Sequence, residues 1–580
     1  MSRSMRPSSA RVPRFARRGM LLVVVLTIIA VMSVVAASFA YMMNADLASV
    51  EAMQARQQAR LAAESGIARA MLLLREHRTD LDQWYDNEDV FRRVLVWSPG
   101  RIGGSESAAD KDVVEGRPAW RYSVVGYEKQ QDETRIRFGL TGESSKLNLR
   151  TASRGQLIRF FDQFQFENVS AMELADALLD WQSSEEGSAS PYGAGSSYYM
   201  TLEPQYRAKN RPLQTVEELL MVKGFTGQVV YGEDYNRNGY LDENEDDGPD
   251  GVFPLDDGDG VLDQGIRPFV TVYSSDFNSA NDNRPRININ LVDFSRTELL
   301  PDYLVEEISP EVIEFIAEAQ KRKYTFRSVG ELLELEVYEN GTSNYDDAWE
   351  QFEREVRQAD RQGLEAAETQ SAPSPEGERG EENTPDPSQR PDRRNRSNRE
   401  RRNENEGGDP NEEGGAKGGT KTGTPIVSPV SADQMDVLLD RLTTVGEPVL
   451  RGRIDVNTAP LEVLASIPGL TEEQAQAIVN RRSQVTAEEK ETPAWLVSFG
   501  VLEPQTFALV SNALTSRSLQ FYIDVIGFAD HVDAACRLEA IVEMTGHLAQ
   551  LKYYRDITAL GLGYPRVEEN RSEGYASYDR

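Results

Sequence analysis

The hydrophobic pattern changes character several times along the chain, and the first change is the sharpest. From Met20 to Met43 no side chain carries a charge. At about 1.5 Å of rise per residue, a helix of that length crosses the roughly 30 Å hydrocarbon core of a bilayer. The next stretch, Ala45 to Glu76, is rich in Ala, Leu, Met, Glu, Gln and Arg and has no proline, so the helix is predicted to run on into water. A single helix over residues 20–76 would be about 85 Å long. Alternating apolar and polar positions then predict strands at Trp120–Glu128 and Thr134–Gly142, joined by the polar turn KQQDE. The same alternation predicts an antiparallel pair at Ser518–Ala529 and Cys536–Gly546, with a further strand at Leu551–Ala559.

Between these strand regions a short pattern recurs: a base, an apolar residue, Asn or Asp, an apolar residue, Asn or Arg, then a small helix. It is found at Lys146–Phe161, Arg286–Leu300 and Arg453–Arg482, and three copies indicate duplication of a strand-turn-helix element. In the third copy Asn457 and Thr458 precede a helix at Pro460. The chain then turns at Pro468-Gly469, and a second helix starts at Thr471 with Glu472 and Glu473 in its first turn. This is similar to a helix-hairpin-helix unit. DNA-binding versions of that unit read Pro-Gly-Ile-Gly; here Thr471 replaces the second glycine and two acids would oppose a phosphate. The unit is therefore expected to pack or dock rather than hold nucleic acid.

Composition sharpens the picture. The chain has 95 acidic against 63 basic residues, a formal net charge of −32, which argues against nucleic acid as a partner. Cys536 is the single cysteine and His77, His531 and His547 are the only histidines. No intramolecular disulfide is available, and no Ser/His/Asp set, HExxH, P-loop or CxxC is present. An enzyme is not expected. Between Leu364 and Ile426 there is no Val, Ile, Leu, Met or aromatic residue, so residues 358–430, including the basic patch Arg393–Arg402, are expected to form a disordered linker.

One stretch has metal-ligand spacing. In DYNRNGYLDENE, Asp234, Asn236, Asn238, Gly239, Tyr240 (by its carbonyl), Asp242 and Glu245 occupy positions 1, 3, 5, 6, 7, 9 and 12 of an EF-hand-type loop. Calcium is the expected cofactor. The following DDGDGVLD, Asp256 to Asp263, offers Asp257, Asp259 and Asp263 for a second, weaker metal site. A calcium clip suits an exported domain that has no disulfide.

The first nineteen residues carry six arginines and no acid, which puts them in the cytoplasm and the bulk of the chain across the membrane. Three readings fit the span: a secretory signal cut after Ala40, an uncleaved anchor, or a leader cut at Gly19. A basic leader ending in Gly, an immediate apolar run and the extension AAESGIARA resemble the N-terminus of type IV pilins and pseudopilins. That resemblance implies cleavage by prepilin peptidase between Gly19 and Met20 and methylation of the new amine. Most members carry Glu at the fifth mature position, to pair with the amine of the subunit ahead; here it is Val24, which suits a subunit with none ahead of it.

Residues Glu173–Thr226 narrow the family. Asp180-Trp181, Gly193-Ala194, Tyr198-Tyr199, Tyr206, Asn210-Arg211-Pro212 and TVEELLMVKG, in that order, resemble the helical domain of minor pseudopilin K of type II secretion systems. QSSEE and Gly195 depart from the acidic residues usual there. The implied fold is α+β: a long N-terminal transmembrane helix and a pilin-like antiparallel sheet with a large helical (helix-hairpin-helix/SAM-like) insertion. The implied organisation is a leader 1–19, the helix 20–76, pilin-like strands 77–148, the pseudopilin K domain 149–227 and a calcium-loop region 228–266. A second repeat 267–357, the linker 358–430, a third repeat 431–515, C-terminal strands 516–566 and a tail 567–580 complete it. The implied role is a single-pass inner-membrane subunit with a periplasmic body, at the tip of a secretion pseudopilus. Its implied partners are other minor pseudopilins, the major pseudopilin, prepilin peptidase and the inner-membrane secretion platform. The competing expectations are a type IV pilus minor pilin and an anchored helix-hairpin-helix receptor for DNA uptake.

Overall fold

The computed structural model describes residues 17–98, 101–102, 118–130, 133–166, 168–184, 190–239, 241–246, 248, 256, 258–361 and 421–561. Its first element, α1 (Arg17–His77), is one unbroken helix of 61 residues, about 90 Å long. The two halves of α1 have different surroundings. Every side chain from Leu21 to Gln54 is exposed, whereas Ala59, Ala62, Ala63, Ile67, Ala70, Leu73 and Leu74 are buried at helical spacing.

The buried half lies on an antiparallel sheet of eight strands: β1 (Val94–Ser98), β2 (Arg101–Ile102), β3 (Trp120–Gln130), β4 (Glu133–Arg137), β5 (Thr141–Gly142), β6 (Gln520–Ala529), β7 (Ala535–Thr545) and β8 (Leu548–Asp556). The order is β8-β7-β6-β3-β1-β2, with β4 on β3 and β5 on β6. The two ends of the chain meet at β3 and β6, where Val125 faces Asp524 and Trp120 faces Ala529. Residues 143–519 are thus an insertion between neighbouring strands.

The strand predicted over Thr134–Gly142 is instead two pieces. Gly139 packs where a Cβ would lie 2.2 Å from the Tyr85 carbonyl oxygen, and Arg137 Nη1 donates to the carbonyls of Tyr85 and Leu140. These main-chain contacts pull the backbone off the ladder between β4 and β5.

Small residues set the distance between helix and sheet. A Cβ on Gly66 would come within 2.7 Å of Val525 Cγ2, and one on Gly527 within 2.0 Å of the Ala59 carbonyl oxygen. On the opposite face of β6, Asp524 receives Nη2 of Arg537 at 2.6 Å, both side chains almost fully buried.

The insertion is built from three units of one design. Leu147–Asn148 pairs in parallel with Val270–Thr271, Ile287–Asn288 with Leu442–Thr443, and Ile454–Asp455 with Leu514–Thr515. In each, the Asn or Asp side chain accepts the N–H two residues on: Arg150 at 3.0 Å, Asn290 at 2.9 Å and Asn457 at 2.9 Å. Each closing threonine does the same for Tyr273, Val445 and Arg517. The units share one continuous apolar core.

The sequence borders at 149–227, 228–266 and 267–357 and the start of 431–515 therefore fall inside units, while the border at 515 meets the end of the third unit. A unit ends at Val270-Thr271, Leu442-Thr443 or Leu514-Thr515, and two residues are too few to register as a strand. The segment expected as linker is ordered at both ends: the helix Asp346–Arg361 carries past residue 358, and Ile426–Val427 pairs with Glu336–Val337. The patch Arg393–Arg402 lies outside the described residues.

Candidate calcium loop and packing surfaces

The EF-hand-type segment folds back on its own carboxylates. Asp234, buried, accepts the N–H of Asn238 at 2.9 Å and of Gly239 at 3.0 Å, and Gly239 takes φ +70° at the turn. Asp242 accepts the side-chain amides of Asn236 at 2.5 Å and Asn238 at 2.8 Å. Glu245, 1% exposed, reaches back to the Asp242 N–H at 3.2 Å, while its Oε1 is buried with no hydrogen-bond partner. Burial pushes the carboxyl of Asp234 up to about 6 and that of Glu245 up to about 7, the second helped by the neighbouring Asp234 and Asp242.

Hard oxygens crowded together, one of them orphaned, fit a hard cation. Rotation of the two Asn amides would turn carbonyl oxygens where N–H groups now face Asp242. Tyr240 lies outside the described residues. Among the described residues, no three His, Cys, Asp or Glu side chains form a metal-sized group, so the amides and the main chain would have to complete the set.

The second acidic loop is arranged differently. Asp257 lies outside the described residues. Asp259 turns its carboxylate to the Val261 N–H at 2.7 Å, and Asp263, exposed, is tied through its backbone to Glu233. Asp256, which was not selected by spacing, accepts the Gly248 N–H at 2.7 Å and leaves Oδ2 buried without a partner.

The first loop also rests on the sheet. Arg537, held by Asp524, donates to the carbonyls of Asn236 at 3.0 Å and Arg237 at 2.6 Å. Around it Arg237 and Arg267 gather on the buried Glu539 and on Glu217. The loop therefore touches both the inserted units and the face of β6–β7 turned away from α1.

In the third repeat, the helices Leu461–Ala465 and Glu472–Arg481 are joined by a turn with Gly469 at φ +88°. A Cβ there would meet Phe352 at 2.9 Å, and Arg159 of the first repeat donates to the carbonyls of Leu470 at 2.7 Å and Ala465 at 3.3 Å. The turn is covered by other parts of the chain, while Glu472 and Glu473 are exposed. Gly19 and Met20 lie inside α1.

The aromatic segment after the first repeat is a packed corner. Trp181 meets Tyr199 edge-on at 5.1 Å, Tyr199 stacks on Tyr206 at 5.2 Å, and a Cβ on Gly193 would strike Asp180 Oδ2 at 1.6 Å. The glycine is needed for that contact. This corner falls within residues 137–231, which match a family model described as type II secretion system (T2SS), protein K; a second model of the same description matches residues 454–493.

Over these two segments the chain is similar to the type II secretion system protein K family.

A type II secretion system protein K of Aeromonas hydrophila is 33% identical over 67 residues, which is 12% of this chain and 20% of that protein. The chain thus spans about a fifth of the curated relative it matches. The crystal structure of the GspK-GspI-GspJ complex from enterotoxigenic Escherichia coli aligns over 88% of this chain and 99% of its own, at 11% identity and a TM-score of 0.29. Protein K is a structural pseudopilin component and not an enzyme.

Proposed function

We propose that this protein is a minor pseudopilin of type II secretion, anchored in the inner membrane by α1 with its body in the periplasm, and assembled at the tip of the pseudopilus to support protein export across the outer membrane. The observation that carries this reading is α1 itself. From Leu21 to Met43 it is uncharged and wholly exposed, with Leu21, Val31 and Met32 each above 60%. Its second half is fixed to the sheet through Ala and Gly. Such a helix can rest in lipid and then pack against other α1 helices without changing shape. Prepilin peptidase would cut between Gly19 and Met20. Val24 at the fifth mature position leaves no carboxylate to seek an amine ahead, which suits the leading subunit; the other minor pseudopilins, the major pseudopilin and the secretion platform would then contact it from behind.

Calcium is proposed as its resident ion, held by Asp234, Asn236, Asn238, Asp242 and Glu245 with the Tyr240 carbonyl. Asp259 and Asp263, with Asp257, remain a proposal for a second ion. A bound cation would neutralise the buried carboxylates and stiffen the loop that Arg537 clasps. The third repeat is proposed as a helix-hairpin-helix turned to internal packing, since its hairpin already has partners within the chain.

Intact-mass and N-terminal analysis of protein from its native membrane tests the assembly role. A chain starting at methylated Met20 is expected; one starting at Met1 or Tyr41 would overturn it. Calorimetric titration with calcium tests the loop, and Glu245→Gln should weaken binding at least tenfold.

A further inference from the structure

Each repeat opens with a base: Lys146, Arg286 and Arg453. In the first repeat the charge is answered within the chain. Lys146 Nζ lies 2.7 Å from one carboxylate oxygen of Glu143, both residues buried, and the other oxygen accepts the hydroxyl of Thr271, the closing threonine of that unit.

The second and third repeats keep the base and the closing threonine but have lost the acid. Three residues before the base, where Glu143 stands in the first repeat, are Asn283 and Leu450. Arg286 gives its Nε–H to the Asp440 carbonyl at 3.1 Å and has no carboxylate partner; Arg453 makes no side-chain hydrogen bond or ion pair among the described residues.

Arg286, Thr443, Arg453 and Thr515 line one cavity of about 30 Å³ between the two units, with Arg517 also in its wall. A void of that size takes two or three waters or one small oxyanion. The nearby acids have other direct partners: Asp276 accepts from Arg517 at 3.0 Å through Oδ2, leaving Oδ1 buried without a hydrogen bond, and Asp440 accepts the Asn281 N–H at 2.8 Å and lies 3.5 Å from Arg441. Glu491 is the one carboxylate in the lining, and it is exposed to solvent. Burial, with Arg517 and Arg453 alongside, pushes the Arg286 guanidinium down to about 9, and burial takes Arg453 down to about 10.

We propose that this cavity is an oxyanion site, in which a small carboxylate or tetrahedral oxyanion sits between Arg286 and Arg453 as Glu143 sits beside Lys146, with the hydroxyls of Thr443 and Thr515 as further donors. Guanidinium forks match either group, and the first repeat shows the same base-and-threonine pair holding a carboxylate. The bound anion would join the second unit to the third, so it acts as a removable version of the contact that Glu143 makes permanent.

The test is thermal unfolding of the full chain in detergent, at fixed calcium and ionic strength, with chloride replaced stepwise by acetate or by sulfate. Neither probe removes calcium appreciably at millimolar concentration. The wild type is expected to show a saturable rise in midpoint of about 3–6 °C; a response to acetate identifies a carboxylate source, and one to sulfate alone a tetrahedral source. Arg453→Met and Arg286→Met should lose the saturable rise while keeping the gradual drift that sulfate gives to folded proteins in general. Both variants remove a half-buried cation that has no direct carboxylate partner, so both should melt no lower than wild type in chloride. A lower melt there would mean that the chain already compensates the charge. That result, the absence of a saturable rise in wild type with either anion, or an unchanged rise in both variants would overturn the proposal.

Discussion

The sheet and the inserted body solve the same problem, closing a chain upon itself, by opposite means. The sheet is closed by one long-range pairing, β3 with β6, and by α1 lying across both. The body is closed three times over by two-residue parallel bridges, each fixed by an Asx turn and a threonine. A fault in the sheet has no second site to absorb it, whereas a fault in one bridge leaves two others and a shared core. Single substitutions should therefore cost more in the sheet.

The largest effect is expected at Gly527. A Cβ there meets main-chain atoms of α1, Ala59 O at 2.0 Å and Ala63 N at 2.4 Å, which cannot rotate away. Gly527→Val should cost about 4 kcal/mol or more in denaturant unfolding, and a small cost would mean that helix and sheet are not locked together. Next comes the buried pair across β6 and β7. Arg537→Met leaves Asp524 charged and unpaired and releases two loop carbonyls, for about 3–5 kcal/mol; the double change with Asp524→Asn should cost less than the sum of the two single changes.

The body offers a pH test. Glu331 is fully buried in the second unit, and burial pushes its carboxyl up to about 7, against the N–H of Arg327 and the hydroxyl of Tyr324, which favour the charged form. The folded chain then keeps a proton that the unfolded chain releases above about pH 4.5, so this residue's contribution falls as pH rises from about 4.5 to 7 and is level beyond. Glu331→Gln should abolish that fall and, at pH 8, stabilise the protein by about 2–3 kcal/mol relative to wild type. Unfolding curves at pH 4.5 and 8 decide it. The smallest effects are expected at the Asx turns: Asn148→Ala, Asn288→Ala and Asp455→Ala should each cost about 1–2 kcal/mol. A much larger loss at one of them would break the idea that the three bridges share the load.

What the sequence disclosed follows the same division. α1 was legible because an uncharged run and a proline-free extension need no partner to declare themselves. β6 to β8 were placed within a few residues by alternation, but their pairing with β3 rests on contacts between opposite ends of the chain, which periodicity does not carry. The opening strand of each repeat was visible because Leu147-Asn148, Ile287-Asn288 and Ile454-Asp455 recur with their flanks. Their closing strands were missed, although Val270-Thr271, Leu442-Thr443 and Leu514-Thr515 share an apolar residue before a threonine, because a two-residue signal is lost without knowing what it closes. In the acidic loops, spacing selected Asp234, Asp242 and Glu245, whose carboxylates accept the loop's own N–H and amide groups. It passed over Asp256, whose buried, unpartnered oxygen is set by the Gly248 contact and leaves no local pattern.

The splitting of the sheet between residues 94–142 and 520–556 also sets a timetable. A chain made from its N-terminus presents β3 to solvent before β6 has been added, and the edge that β6 will fill stands open while the whole insertion is made. An open edge of this kind is a template for pairing with any extended chain. The interval before closure is therefore the stage at which this protein most needs company, whether from a chaperone or from the body folding fast enough to bring its own last strands home.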